Sequence, residues 1–490
     1  MKAKYFLLVG FIFTIISFII YIILFYFQLK APLEAEYWVG DIIQYKDSKA
    51  RSIKSKKIII ISGSNSLFGI NSKLIQEKTG YPVVNLATHA SLDIDFLYHK
   101  IKEHIKKGDI IVMPLEFEHY SREGIISNWF SNNIMSWSTS YLNQLRLIDL
   151  AQFIITTEPI RVFKGVIKQI KSNSTNDKLI SQKTILKNLN NLWSEQGENW
   201  RGYSYKSLNQ FGDINVNLPT ACKSNLPYID NKIQISPYFL EKFRKIKKLV
   251  NLNHGSLYLT YPATIKNINF DLSKEDSQER INNLELLLKQ EDIDIHCNAA
   301  SFNLNRIFFF NTHYHLNKNG ALIRSENLSN CLNRLIKSKN NKKLPFEVAI
   351  TQTNILEKQY LQKQKNVMTF TEIRLKDLQK VKKALEKYYL EHGKYPHSVG
   401  FDGLYTKWGK SGKNWINGLS PKYIDCLPKD PRKTLEKHKQ YIYKSDGKNY
   451  KIISLYPEDC QEVKEKFPKL IDPKRGCTAY GFWTDGASKW

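Results

Sequence analysis

Two polar turns, far apart in the chain, carry residues suited to acyl transfer. The first, Ser62-Gly63-Ser64-Asn65-Ser66, follows the run Lys56-Lys57-Ile58-Ile59-Ile60-Ile61; the second, Asn311-Thr312-His313-Tyr314-His315, follows Phe308-Phe309-Phe310. A serine hydroxyl becomes an effective nucleophile when an imidazole takes its proton and a third group orients that imidazole. Ser64 is the candidate nucleophile, His315 the candidate base and Asn311 the candidate orienting group. Taken alone, Ser-Gly-Ser-Asn-Ser is also an ordinary polar turn, and the distant histidine is what gives the serine a chemical meaning.

Such a pairing needs a scaffold that brings both turns to one rim. Four consecutive isoleucines are too few to cross a bilayer and too β-branched for a helix, so they predict a buried strand of a parallel sheet. In open α/β sheets the functional crevice lies beyond the carboxyl ends of the strands, where a small-residue turn presents Ser64. Periodicity predicts helices over 70–79, 95–106 and 274–290, and strands over 81–86, 108–114, 256–261 and 306–310. Asn317 is the expected N-cap of a last helix. This alternation implies a parallel sheet covered on both faces. Between about 134 and 237 it breaks into helical stretches and Asn-rich loops, read as an insertion or lid.

Ser62-Gly63-Ser64 with Gly69 beyond it, and Asn311 to His315 followed by Leu316, Asn317 and Gly320, resemble the first and last blocks of the SGNH (GDSL-like) hydrolase superfamily. The likeness is strongest to its membrane-anchored branch related to polysaccharide O-acetyltransferases and runs over residues 51–336. It implies an α/β domain of three layers, α/β/α and flavodoxin-like, with Ser64 as nucleophile, His315 as base, and the backbone N–H groups of Ser64 and Ala90 as oxyanion hole. Ala90 closes Asn85-Leu86-Ala87-Thr88-His89-Ala90, where the family has glycine; His89 reads as a loop histidine. No cofactor and no catalytic metal are implied.

The sequence departs from the family twice. Leu115-Glu116-Phe117-Glu118-His119-Tyr120 stands where the family has an oxyanion-binding asparagine, and Asn311 stands where it has the aspartate that orients the histidine. In the serine-protease template, aspartate to asparagine at that role lowers turnover by about 10⁴ by favouring the wrong imidazole tautomer. Glu116 or Glu118 could return a carboxylate to His315, and His313 could act as an alternative base; equally, both glutamates could be solvated loop charges. With water as acceptor the reaction is that of an esterase, and with a sugar hydroxyl that of an O-acetyltransferase. A catalytically silent glycan-binding protein on the same fold is the alternative.

The compartment follows from residues 5–27, an uncharged segment long enough to span a bilayer as a helix. Lys2 and Lys4 precede it, so the amino terminus is expected in the cytoplasm and the remainder outside, on an inner (cytoplasmic) membrane. An anchor is favoured over a cleaved signal because the apolar stretch is long and no small-x-small site follows before Ala31-Pro32-Leu33. The formal net charge of +27 suits anionic headgroups or acidic glycans in an exported protein. No compact Lys/Arg run interleaved with aromatics marks a nucleic-acid groove. The six cysteines show no C-x-x-C spacing, which argues against zinc. Export permits disulfides, and among Cys426, Cys460 and Cys477 one bridge could form.

The remaining chain divides at a Lys/Asn-rich stretch near 337–343. The expected organisation is an anchor (1–30), a juxtamembrane linker (31–50), the hydrolase-like domain (51–338), a linker or partly helical spacer (339–368) and a C-terminal α+β domain (369–490). In the last, Ile373, Leu375, Leu378, Val381, Leu385, Tyr388 and Tyr389 recur at helical spacing up to Gly393. Residues 441–453 form two strand patterns around an Asp446-Gly447 turn. Ala384-Leu385-Glu386, Gly393-Lys394-Tyr395-Pro396, Leu427-Pro428-Lys429-Asp430-Pro431 and Trp483-Thr484-Asp485-Gly486 resemble the globular head of G-type type II secretion pseudopilins. No apolar helix with a prepilin-peptidase site precedes this head, so the resemblance implies docking to a secretion or surface assembly rather than polymerisation. Some such heads bind calcium, and Asp446, Asp472 and Asp485 would be the available oxygen ligands.

Overall fold

The computed structural model describes residues 2–31, 33–171, 179–196, 198–218, 222–230, 232–337, 342–366, 370–432 and 439–490. Most of the expected boundary at 337–343, and residues 367–369 of the expected spacer, lie outside the described residues. The chain forms two compact units, Met1–Tyr360 and Leu361–Trp490.

The first unit begins with α1 (Lys2–Phe27), the one described helix long and apolar enough to cross a membrane. Within the expected juxtamembrane linker, residues 37–50 belong to α2 (Tyr37–Ser52), which buries Val39, Ile42, Ile43 and Tyr45. There follow β1 (Ile58–Ile60), α3 (Ser64–Leu67), α4 (Ser72–Thr79), β2 (Val83–Asn85), α5 (Ile94–His104) and β3 (Ile110–Pro114). The excursion beyond comprises α6 (Glu118–Ser121), α7 (Asn128–Trp137), α8 (Thr139–Leu142), α9 (Leu147–Thr156), α10 (Pro159–Lys171) and α11 (Gln182–Gln196). The chain returns through α12 (Pro237–Leu252), β4 (Ser256–Thr260), β5 (Thr264–Lys266), α13 (Glu275–Gln290), β6 (Asn303–Asn305), α14 (Lys318–Ile336) and α15 (Phe346–Asn366).

Strands β2-β1-β3-β4 make one parallel sheet, with Ile58 level with both Val83 and Ile110, and Ile110 level with Ser256. Right-handed crossovers in this order put α4 on one face and α5 and α12 on the other. Correspondingly, α4 packs on α14 and α5 on α12. With both faces covered, every residue of the isoleucine run is inside, which is why the run does not alternate with polar residues.

Residues 306–310 correct the expectation of a further strand. Asn305 accepts the Ile307 N–H and closes a 3₁₀ turn over Arg306–Phe308, after which Phe309 makes a single antiparallel bridge to Leu316. The register beyond β4 is taken instead by Ile295, bridged in parallel to Leu259. The phenylalanines are buried by a tight turn, a mode that an apolar run cannot by itself distinguish from a strand. The expected spacer is helical: the early part of α15 buries Ala349 in the core of the first unit and sets Thr353 against Asn327.

The second unit holds α16 (Phe370–His392), β7 (Asp402–Gly403), β8 (Tyr441–Ser445), β9 (Tyr450–Leu455), α17 (Cys460–Lys466), β10 (Ile471–Asp472) and β11 (Gly476–Trp483). The strands form an antiparallel sheet in the order β10-β11-β9-β8-β7. Leu378, Val381, Ala384 and Leu385 on one stripe of α16 cover it. Gly393, at φ +66°, ends the helix, and Gly447, at φ +89°, turns the β8–β9 hairpin, both conformations that favour glycine. Cys297 is bonded to Cys331 and Cys460 to Cys477; Cys222 and Cys426 are free.

Candidate functional site

The connection leaving β1 runs to β2 on one side, whereas that leaving β3 runs to β4 on the other. A crevice therefore opens between the carboxyl ends of β1 and β3. Ser64 stands at its β1 side and Glu116 at its β3 side.

The turn that presents Ser64 is heavily braced. Ser62 Oγ donates to Ser66 Oγ at 2.7 Å, and Asn65 Nδ2 donates to Ser62 Oγ at 3.2 Å and to the Pro114 carbonyl at 2.9 Å. Arg324, fully buried on α14, donates to the Asn65 carbonyl at 2.7 Å and to Asn65 Oδ1 at 2.6 Å. A Cβ on Gly63 would run into Glu116 Oε1 and come within 2.6 Å of Ala90 Cα, so this position has no room for a side chain.

Glu116 works on the backbone of the same turn. Its carboxylate accepts the Gly63 N–H at 3.1 Å and the Asn65 N–H at 3.0 Å, with His119 Nε2 at 3.5 Å. Burial alone would raise its pKa, but His119 and the hydrogen bonds of Asn65 outweigh burial and bring it down to about 2. Glu116 is thus an ionised, buried brace. The expectation that it orients His315 is corrected, and so is the same expectation for Glu118, which accepts from the Tyr314 hydroxyl at 3.0 Å. The sequence pattern gave no sign that backbone N–H groups would claim Glu116.

His315 is set by its own turn. Thr312 Oγ1 accepts the N–H groups of Tyr314 (3.3 Å) and His315 (3.1 Å), and the His315 carbonyl accepts the Phe310 N–H at 2.8 Å. Its ring stacks on Phe68 at a centroid separation of 4.2 Å and an interplanar angle of 24°. Nδ1 lies 3.0 Å from Asn311 Oδ1, while Asn311 Nδ2 donates to the Tyr203 hydroxyl at 2.6 Å. In this arrangement Nδ1 carries the proton and Nε2 is the lone-pair nitrogen, the tautomer that a general base needs. Burial brings the imidazolium pKa down to about 3, against the opposing pull of Glu116. The ring is therefore neutral at ordinary pH.

A cavity of about 530 Å³ joins these groups: Ser64, Ala90, Glu116, Glu118, His313 and His315 all line it, with Trp38, Phe68 and Tyr203 supplying aromatic wall. Asn311 stands behind His315, outside the lining. Among the described residues, Ser64 Oγ makes no hydrogen bond, so serine and histidine share the cavity without a hydrogen bond between them. His89 also faces it, stacked on Trp129 at 4.1 Å, with Nδ1 accepting the Ser91 N–H. The carbonyl of His313 is held by the Tyr228 hydroxyl, and burial lowers the pKa of the His313 ring.

Sequence reading missed Arg324, Tyr203 and a second brace beneath the Ala90 loop. There, buried Lys46 donates to the Ala87 carbonyl at 2.5 Å, and burial brings its pKa down to about 7. Asn85 ties Ser66 and Asp213 together at 2.9 Å each. Arg324 left a legible signal: it falls on the stripe Ala321, Leu328, Cys331, Leu335 at helical spacing, where a cation has no place unless it is bonded. Tyr203 left none, since its role exists only once the excursion has folded back.

In the second unit, two of the three aspartates expected as calcium ligands make contacts within the protein. Asp472 is buried between Lys451 (3.2 Å) and Arg475 (3.0 Å), and Asp446 accepts the N–H groups of Lys448 and Asn449 in its own turn.

The molecule thus combines a helix of membrane-spanning length, a parallel α/β unit with a serine–histidine cavity, and a separate α+β unit. The family model for type II secretion system (T2SS) protein G matches residues 361–469, so most of the second unit is similar to that G-type pseudopilin family. No curated protein matches this chain.

Proposed function

We propose that this protein is a membrane-anchored acyl-transfer enzyme of the SGNH type, facing away from the cytoplasm, acting on acyl esters of envelope or exported polysaccharide. We also propose that its pseudopilin-like domain docks to a secretion or surface assembly. The observation that carries the catalytic reading is the shared cavity of Ser64 and His315, with Asn311 holding His315 Nδ1 and leaving Nε2 free. Ser64 Oγ attacks the ester carbonyl as Nε2 takes its proton, and the backbone N–H groups of Ser64 and Ala90 receive the developing oxyanion. The imidazolium returns the proton to the leaving alkoxide. Water, or a sugar hydroxyl, then gives its proton to Nε2 and attacks the acyl-Ser64 carbonyl, releasing the acid or the new ester and restoring the serine.

The neutral Asn311 stabilises the imidazolium less than a carboxylate would, so turnover is expected to be slow. A second reading, a glycan-binding protein without turnover, draws support from the same low basicity of His315 and from the aromatic wall of the cavity. A fluorophosphonate probe separates the two. Labelling of the wild-type chain, lost in Ser64→Ala and in His315→Ala, supports catalysis; equal labelling of all three chains, or none of the wild type, favours binding alone. For the docking role, a chain ending at residue 360 should lose its partner in membrane pull-downs while keeping probe labelling. Unchanged pull-down would end the docking proposal.

A further inference from the structure

The α9–α10 pair shows water an unusually apolar surface. On α10, Ile160, Phe163, Ile167 and Ile170 fall at spacings of three and four, hence on one face, and are 63%, 61%, 47% and 71% exposed. Ile155 of α9 is 65% exposed. Arg161, Val162 and Gly165 form the buried side of α10, and Lys164, Lys168 and Lys171 form an exposed cationic edge beside the isoleucines. A helix with a wide exposed apolar face flanked by lysines is the pattern of one lying in a membrane interface.

The buried side of this pair rests on the apolar helix α1 itself. The Tyr21 hydroxyl donates to the Thr157 carbonyl at 2.8 Å, Phe25 meets Phe153 edge-on at 6.2 Å, and Arg161 Nη1 donates to Gln28 Oε1 at 2.6 Å. From Tyr21 to Phe27 the helix rises roughly 9 Å at about 1.5 Å per residue. The α9–α10 corner is therefore level with the last apolar turns of α1, whose own residues are exposed along most of its length. Whatever solvent surrounds the end of α1 also bathes the exposed face of α10.

We propose that α9 and α10 form a second membrane contact: the corner enters the outer part of the bilayer beside α1, Ile160, Phe163, Ile167 and Ile170 meet acyl chains, and the three lysines meet anionic headgroups. This rests on the reading of α1 as a membrane anchor. The contact would hold the first unit against the lipid surface rather than leave it hanging from one helix. Trp38, which lines the serine–histidine cavity, follows closely on α1 in sequence, so an acyl donor or glycan presented at the membrane would find the cavity near the same surface.

The test uses the full chain carrying Cys222→Ser and Cys426→Ser in vesicles of phosphatidylethanolamine and phosphatidylglycerol. A nitroxide is attached in turn to Phe163→Cys, Phe13→Cys on α1, and exposed Asn251→Cys. The ratio of relaxation by oxygen, which concentrates among acyl chains, to relaxation by a water-soluble nickel chelate should be several-fold higher at 163 and at 13 than at 251. A water-like ratio at 163 with a lipid-like ratio at 13 overturns the second contact and leaves the anchor standing. Water-like ratios at both end the anchor reading and this inference with it. Protection of 163 from both reagents means that protein, such as a second copy, covers the face, which also overturns it.

Discussion

Among the described residues, each unit buries one arginine almost completely, Arg324 in the first and Arg374 in the second, and the two are used in opposite ways. Arg374, at the start of α16, is surrounded by carboxylates: Asp430 at 3.3 Å, Glu458 at 2.9 Å and Asp459 at 2.8 Å. Its charge is met by opposite charge, and the cluster joins α16 to the segments that precede and follow the β8–β9 hairpin. Arg324 spends its donors on the carbonyl and side-chain oxygen of Asn65, with only the field of Glu116 to offset its charge, and burial brings its pKa down to about 9. A buried cation paired with carboxylates holds elements together. One paired with the backbone beside the candidate nucleophile Ser64 holds a geometry, and that contrast separates the unit with a candidate site from the unit matched by the secretion-protein family model.

The contrast can be sharpened first at Asn311. If catalysis is limited by a neutral orienting group, Asn311→Asp should raise turnover of a p-nitrophenyl ester by about 10², because the tautomer is already the productive one and the gain is that of a better-matched base. The new carboxylate would also raise the imidazolium pKa of His315 from about 3 toward the ordinary 6.5. Because the base must be unprotonated, activity is lost as pH falls through that pKa. The wild-type acid limb is thus expected near pH 3 and the variant's at higher pH. A pH–kcat profile with the same limb in both would break the assignment.

Next come the arginines. Arg374→Met leaves carboxylates unbalanced and should destabilise the second unit by about 3–5 kcal/mol, while probe labelling of Ser64 persists. Arg324→Met should cost the first unit a similar amount and abolish labelling. Urea denaturation read by limited proteolysis distinguishes the units, and labelling that survives Arg324→Met would remove the geometric role given to Arg324.

The smallest effect is expected at Glu116. Glu116→Gln weakens the acceptors of two buried N–H groups, a loss of about 1–3 kcal/mol. It also removes the negative charge that props up the basicity of His315, so the acid limb should move lower still. A limb that moves upward would show that Glu116 does not act on the histidine through its charge.

Parts of this arrangement were legible without coordinates. Four isoleucines in series suit a strand covered on both faces, and the stripe from Leu378 to Leu385 suits a helix on a sheet, because burial imposes its period on the sequence. Asn317 as a cap and the Asp446-Gly447 turn were readable because those roles are local. The 306–310 segment was misread because an apolar run records that it is buried and not which backbone path buries it.

The amino-acid order by itself determined the apolar helix at the start, the strand–turn that carries Ser64 and the pseudopilin-like character of the C-terminal region. Each depends on residues close together in the chain. Tertiary structure alone decided that Glu116 would bind the backbone amides of Gly63 and Asn65, and that Tyr203 would close the network around Asn311 from a distant excursion. A carboxylate's partner is chosen by which N–H groups the fold leaves within about 3 Å of it, and no spacing along the chain records that distance.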